Sequence, residues 1–297
     1  MKLPVYVLIT PARNEAAFID RTIKCVIDQV ARPLRWIIVS DGSTDGTDDI
    51  VRKHAAEHPW IELLRMPERR ERHFAGKVLA FNAGYEHVRE LPYQAIGSLD
   101  ADISFDTKYF AFLLDKLASD DKLGLVGTPF IDSSVSYNYR FVSIEHVSGA
   151  CQLFRRECFE AIGGYVPAKG GGIDRIANIA SRMKGWKTRT FTEKSYLHHR
   201  EIGRAEDGRL RASLKDGAKD YAVGAHPVWM FFRVLYQMSK SPFVIGALAL
   251  GWGYIRMYVK RAERPVSPEL VKFTRHEQMQ RLKSFLTGQA FRPRSST

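Results

Sequence analysis

Asp100-Ala101-Asp102 puts two carboxylates two residues apart, directly after a short apolar run. If 94–99 is a strand, side-chain alternation aims both Asp the same way. At the end of a parallel strand such a pair can hold one divalent cation, Mg²⁺ or Mn²⁺, against a diphosphate. A lone D-x-D triplet is also a common polar turn, so other residues must support the chemistry. Candidates are Asp41 in Ser40-Asp41-Gly42, Asp174 behind Gly170-Gly171-Gly172, Lys77, and His198-His199-Arg200. A carboxylate such as Asp174 can take a proton from a hydroxyl that would otherwise be a poor nucleophile.

Elements that could position these residues follow from the pattern. Val5–Thr10 reads as a buried parallel strand, stopped by Pro11. Asn14-Glu15 opens a helix with apolar residues at Phe18, Ile19, Ile23, Val26 and Ile27. Trp36–Val39 is a second strand, and the turn Ser40–Thr47 leads into a helix reaching about His58. A strand near Ile61–Leu64, a charged loop at Glu68–His73 and a helix through Gly76–Gly84 come next. After the Asp pair, a helix is expected over Asp106–Ser119, then a strand at Leu123–Thr128. Val147–Arg155 reads as a strand leading into a short helix, and Asp174 as the cap of a helix ending at Met183. Strands alternating with helices imply a mostly parallel sheet covered on both faces.

Composition limits the function classes. The 297 residues suffice for one large α/β domain with an appendage, or for two modest domains. Lys and Arg number 45 against 33 Asp and Glu, a net charge of +12, which implies an anionic partner. Nucleic acid would explain the charge but not acids clustered at strand ends, so it is not expected. Cys25, Cys151 and Cys158 lack metal-ligand spacing, and their odd number argues against a disulfide framework. Cys151 is read as packing. The N-terminus runs straight into a strand with no signal-type apolar region, so a cytoplasmic chain is expected.

The character changes toward the C-terminus. Trp229–Tyr236 forms an aromatic helix, and Pro242–Ile255 is almost wholly apolar. That run is short of the ~20 residues a spanning helix needs. It is expected to be interfacial, re-entrant or a buried core helix. From Arg256 onward there are ten Lys or Arg against three Glu. Together these features predict an extension over 225–297, following a domain at 1–224, that meets an anionic membrane surface from the cytoplasmic side.

Four segments stand in order: Pro11-Ala12-Arg13-Asn14-Glu15, Val39–Asp45, Ser98–Asp102, and the Gly-rich loop with Asp174. Over about residues 3–200 this set resembles the family-2 glycosyltransferases, which have the GT-A fold. The resemblance implies a Rossmann-like sheet and a nucleotide-diphosphate sugar donor. It implies that Pro11, Arg13, Glu15 and Asp41 bind the nucleoside, Lys77 the nucleotide or its phosphates, and Asp100 the ribose or diphosphate. By the same resemblance Asp102 is the metal ligand and Asp174 the general base. Gly149 and Ala150 leave room for the acceptor, and His198 and Arg200 approach the diphosphate. Neither His198 nor His199 is expected to bind zinc, because no Cys lies nearby.

Two positions depart from the family pattern. Ser40 precedes Asp41 where two acids are common, which leaves the base open, with UDP favoured. Ile173 precedes Asp174 where the family usually has Glu. The function expected is inverting transfer of a sugar to a lipid-linked (polyprenyl) or saccharide hydroxyl in surface-polysaccharide synthesis. The alternative is a non-catalytic membrane-surface protein on a degenerate scaffold. A pyrophosphorylase is disfavoured because no Gly-rich phosphate loop follows the first strand, and a dehydrogenase because G-x-G-x-x-G is missing there.

Overall fold

The computed structural model describes residues 2–68, 75–131, 143–168, 170–200 and 208–288. Most of the charged loop expected at 68–73, and the basic end from 289 onward, lie outside the described residues. Strand β1 (Tyr6–Ala12), helix α1 (Ile19–Ile27), β2 (Arg35–Asp41), α2 (Thr47–Glu57), β3 (Ile61–Met66), α3 (Ala75–Val88) and β4 (Ala95–Leu99) alternate along the N-terminal part. Then come β5 (Ile103–Ser104), α4 (Tyr109–Ser119), β6 (Leu123–Gly127), β7 (Phe130–Ile131), β8 (Cys151–Arg155) and α5 (Arg156–Ala161). They are followed by α6 (Ile173–Met183), β9 (Lys187–Thr190) and β10 (Tyr196–His198). Among the described residues four helices follow: α7 (Arg209–Ala222), α8 (Pro227–Gln237), α9 (Phe243–Val259) and α10 (Pro268–Thr287).

Seven strands form one sheet in the order β3-β2-β1-β4-β8-β6-β9. Neighbours run parallel except around β8, which is antiparallel to both β4 and β6. The chain moves outward from β1 to β3 and returns to β4 on the other side of β1. The β1/β4 junction is therefore a topological switch point, where open α/β sheets bind ligands outside the carboxyl ends of their strands. The ladder between β1 and β4 ends at Ile9–Ser98, while that between β1 and β2 continues to Ala12–Ser40. Pro11, which has no N–H to give, stands where β1 leaves β4. The strand thus runs past Pro11 rather than stopping at it.

The sheet is held by a core that includes Tyr6, Leu8, Trp36, Ile38, Tyr109, Phe110 and Leu153, each at most 1% exposed. Helix α1 buries Ile19, Thr22, Ile23 and Val26, the helical spacing read from the sequence. It begins at Ile19 and not at Asn14, because Asn14 takes φ 55°, a left-handed turn that Asn tolerates better than most residues. A small second sheet, β5-β10-β7, was not legible in the sequence, its strands being only two or three residues long. The strand expected over Val147–Arg155 is confined to Cys151–Arg155.

The residues group into two compact units, Met1–Pro167 with Ile173–Arg200, and Ala168–Gly172 with Glu201–Thr297. The first holds both sheets. Within the second, α9 packs against α7 and α8 around a core of Tyr221, Ala225, Met230, Leu250 and Tyr254. Helix α7 falls in the second unit. Among the described residues no helix is long and apolar enough to cross a membrane.

Candidate functional site

The loops after β1 and β2 are joined by hydrogen bonds from backbone to side chain. Asn14 N donates to Ser43 Oγ at 3.1 Å, and Thr44 N donates to Asn14 Oδ1 at 2.9 Å. Glu15 N donates to Thr47 Oγ1 at 2.8 Å, and Ala16 N to Asp45 Oδ2 at 3.0 Å. Across this seam the Arg13 guanidinium lies 3.7 Å from the Asp41 carboxylate. Pro11, Arg13, Glu15 and Asp41 are thus brought together at the carboxyl ends of adjacent strands.

The turn after β4 is fixed from three sides. Asp100 N donates to Ala150 O at 2.8 Å, and His199 N to Asp102 O at 2.9 Å. The buried Thr22 hydroxyl on α1 lies 2.8 Å from the carbonyls of both Ala101 and Ile103. Sequence reading missed Thr22, which looks like any helix Thr until α1 lies beneath this turn. Strand β10 pairs antiparallel with β5, in a register that sets His198 opposite Ile103. The His198 ring consequently comes 3.7 Å from Asp102 Oδ1. Asp100, Asp102 and His198 each present a ligand atom, and these atoms lie within 4.8 Å of one another. Two carboxylate oxygens and an imidazole nitrogen suit a divalent cation.

Cations already face these acids. Lys77, near the start of α3, pairs with Asp100 and lies 3.3 Å from Gly149 O. Burial alone would push the Lys77 pKa down, but Asp100, with Asp174 and Asp102, holds it above the ordinary value. Burial raises the Asp100 pKa, Lys77 partly offsets this, and Asp102 adds to the rise. Arg200 reaches Glu15 at 2.5 Å and Asp102 at 3.6 Å. Burial pushes the Glu15 carboxyl up to about 7; Arg200 opposes the rise, and Asp102 and Asp100 reinforce it.

His199 plays a different part from His198. Its Nδ1 lies 3.1 Å from an Arg21 guanidinium nitrogen, which can only donate, and its Nε2 lies 2.9 Å from Ser104 Oγ. Burial and Arg21 both lower its pKa, consistent with a neutral ring clamping β10 onto α1.

Asp174 sits in the first turn of α6, one residue inside the helix rather than at its cap. A Cβ on Gly149 would come 2.9 Å from Asp174 Cβ. Gly149 therefore makes room for Asp174 itself. Ala150 is buried at 7% exposure, and its carbonyl anchors Asp100. His146, which the sequence did not single out, lies 3.6 Å from Asp174 Oδ2. Cys151 is buried with its thiol pushed up to about 12 by that burial, in keeping with packing.

Residues 7–168 match the family described as glycosyl transferase family 2. A probable glycosyltransferase of Bacillus subtilis (strain 168), YdaM, is 26% identical over 203 residues, covering 66% of this chain and 46% of that protein. The poly-beta-1,6-N-acetyl-D-glucosamine synthase of Staphylococcus aureus (strain COL) is 29% identical over 136 residues, 46% of this chain and 31% of that protein. The chain thus spans less than half the length of these curated relatives. Among solved structures, the mannosyltransferase PcManGT from Pyrobaculum calidifontis, in complex with GDP-Man and Mn²⁺, superposes with a TM-score of 0.63 at 21% identity. It covers 97% of this chain, which covers 84% of it. TarS 1-349 of S. aureus, in complex with UDP-GlcNAc, gives 0.57 at 13% identity, with 97% of this chain and 93% of that one covered. The switch-point sheet and the matched segment agree, and the chain belongs to glycosyl transferase family 2.

Proposed function

We propose that this chain is an inverting, metal-dependent glycosyltransferase that moves a sugar from a nucleotide-diphosphate donor, UDP-linked by preference, to a hydroxyl of a lipid-linked or saccharide acceptor. The observation that carries the reading is the convergence of Asp100, Asp102 and His198 at the β1/β4 switch point, with Lys77 and Arg200 beside them. Asp100, Asp102 and His198 would hold Mg²⁺ or Mn²⁺, and the imidazole favours the transition ion of the two. When bound, the cation supplies Lewis-acid stabilisation of the leaving diphosphate.

The chain's own residues do the rest. Pro11, Arg13, Glu15 and Asp41 line the nucleoside. Lys77 and Arg200 offset the charge that grows on the diphosphate as the anomeric C–O bond breaks and its electron pair leaves with the phosphate. Asp174 accepts the proton of the acceptor hydroxyl while that oxygen forms the new bond from the opposite face. Gly149 lets the carboxylate stand there, and His146 orients it. The site works at the cytoplasmic face of a membrane, where acceptors of surface-polysaccharide assembly are presented.

The test is release of nucleoside diphosphate by purified chain from a panel of sugar nucleotides with Mn²⁺, GDP-mannose and UDP-N-acetylglucosamine included. Turnover of at least one donor, lost in Asp102→Asn, is expected. Failure to bind any donor would favour a non-catalytic scaffold.

A further inference from the structure

Helix α9 is apolar except for Arg256 in its last turn, and its two faces meet different surroundings. One face buries Gly246, Ala247, Leu250, Gly253 and Tyr254. This face is fixed at backbone contact with α7: a Cβ on Gly217 would come 1.9 Å from Leu250 O, and one on Gly253 2.1 Å from Leu214 O. The opposite face carries Val244, Leu248, Trp252, Ile255 and Val259, all exposed, with Leu248 at 61% and Trp252 at 59%. These positions follow the helical repeat, so they form one stripe. Helix α8, packed against α9, likewise exposes Phe231, Phe232, Leu235 and Tyr236. Exposed apolar surface this continuous marks an interaction face.

Charge selects the occupant. Between Pro227 and Ala262 the chain has five Lys or Arg and no Asp or Glu. Lys240, Arg256, Lys260 and Arg261 are exposed. A second copy of the chain would set like charges against each other. An anionic headgroup layer pairs with the cations while the acyl boundary takes the apolar stripe, with Lys and Arg stems reaching back to the surface. Trp252 and Tyr258 have the amphipathic rings that settle at headgroup level. With 17 residues, α9 is about 25 Å long, shorter than the ~30 Å hydrocarbon core of a bilayer.

We propose that α8 and α9 are the surface by which this chain rests on an anionic bilayer, α9 in the interfacial plane with Val244, Leu248, Trp252, Ile255 and Val259 turned inward. This deepens, and rests on, the reading of the protein as peripheral at a membrane.

The experiment is flotation of the full 297-residue chain with vesicles of phosphatidylcholine alone or mixed with phosphatidylglycerol. Flotation is expected only with the mixed vesicles, and should weaken as salt is raised. Leu248→Asp with Ile255→Asp should abolish it with unchanged circular dichroism. A second variant, Lys240→Gln with Arg256→Gln and Lys260→Gln, leaves the stripe intact and should weaken binding roughly hundredfold, about fivefold per cation. Equal flotation with neutral vesicles, or none with either, overturns the proposal. So does a dimer in solution that the Leu248→Asp change dissociates. Sugar-nucleotide turnover is measured separately without vesicles. Turnover without flotation removes the membrane face alone, and flotation without turnover removes the enzymatic reading alone.

Discussion

The His198 ring lies 3.7 Å from Asp102 Oδ1 because β10 pairs with β5 immediately after the Asp pair. One short antiparallel ladder adds an imidazole nitrogen to two carboxylates, giving an oxygen–nitrogen cluster of the kind that can hold a metal ion. His198→Ala should therefore weaken Mn²⁺ binding by at least the ten- to hundredfold that outer-shell partners cost in metal sites. Titration with Mn²⁺, followed by electron paramagnetic resonance in the absence of turnover, would read the loss. Unchanged affinity would remove His198 from the ligand set.

Thr22 holds the same turn from below through the carbonyls of Ala101 and Ile103. Thr22→Val keeps the shape and removes the hydroxyl, leaving one carbonyl-rich turn short of a donor. A loss of about 1–3 kcal/mol in stability is expected from denaturant melts, with a parallel loss of Mn²⁺ affinity. Thr22→Ser should restore both.

Asp174 is the proposed base, and its isosteric amide cannot accept the proton. Asp174→Asn should lower kcat about 10²- to 10⁴-fold with little change in donor KM. Activity equal to that of the unaltered chain would exclude the assignment.

Gly149 tests the same carboxylate by sterics. A methyl group there would meet Asp174 Cβ at 2.9 Å, so Gly149→Ala must displace one or the other. Overpacking of this kind costs about 1–3 kcal/mol. The expected signature is a fall in kcat larger than the fall in thermal midpoint would explain.

Glu15 makes stability fall with rising pH. Its folded pKa, about 7, lies above the ordinary 4.5, so between those values the folded chain holds the proton and the unfolded chain does not. Stability from this group is thus greatest below pH 4.5 and is lost as pH rises through 7. Glu15→Gln should stabilise the metal-free chain by on the order of 1 kcal/mol at pH 8, the shift being discounted for solvent screening, and by little at pH 5. Thermal melts at the two pH values would show whether the gain is pH-dependent.

Much of the site was legible in sequence because it sits on strong local signals. The apolar runs at 5–9 and 36–39 and the D-x-D triplet after 94–99 marked strand ends, and ligand loops in an alternating α/β chain must gather there. The small sheet was not legible, since two- and three-residue strands leave no periodicity to read. The antiparallel direction of β8 was hidden for a related reason: direction in a sheet depends on the connection, not on the strand's own composition.

The amino-acid sequence by itself determined the residue types, their order and the elements that carry them, and it made Glu15, Asp41, Asp100, Asp102 and Asp174 candidates. Only the tertiary structure decided which distant groups join them. Long-range strand pairing set His198 beside Asp102, helix packing set Thr22 under Ala101, and a missing Cβ at Gly149 admitted Asp174. Those contacts depend on register and close approach between segments far apart in the chain, and local pattern encodes neither.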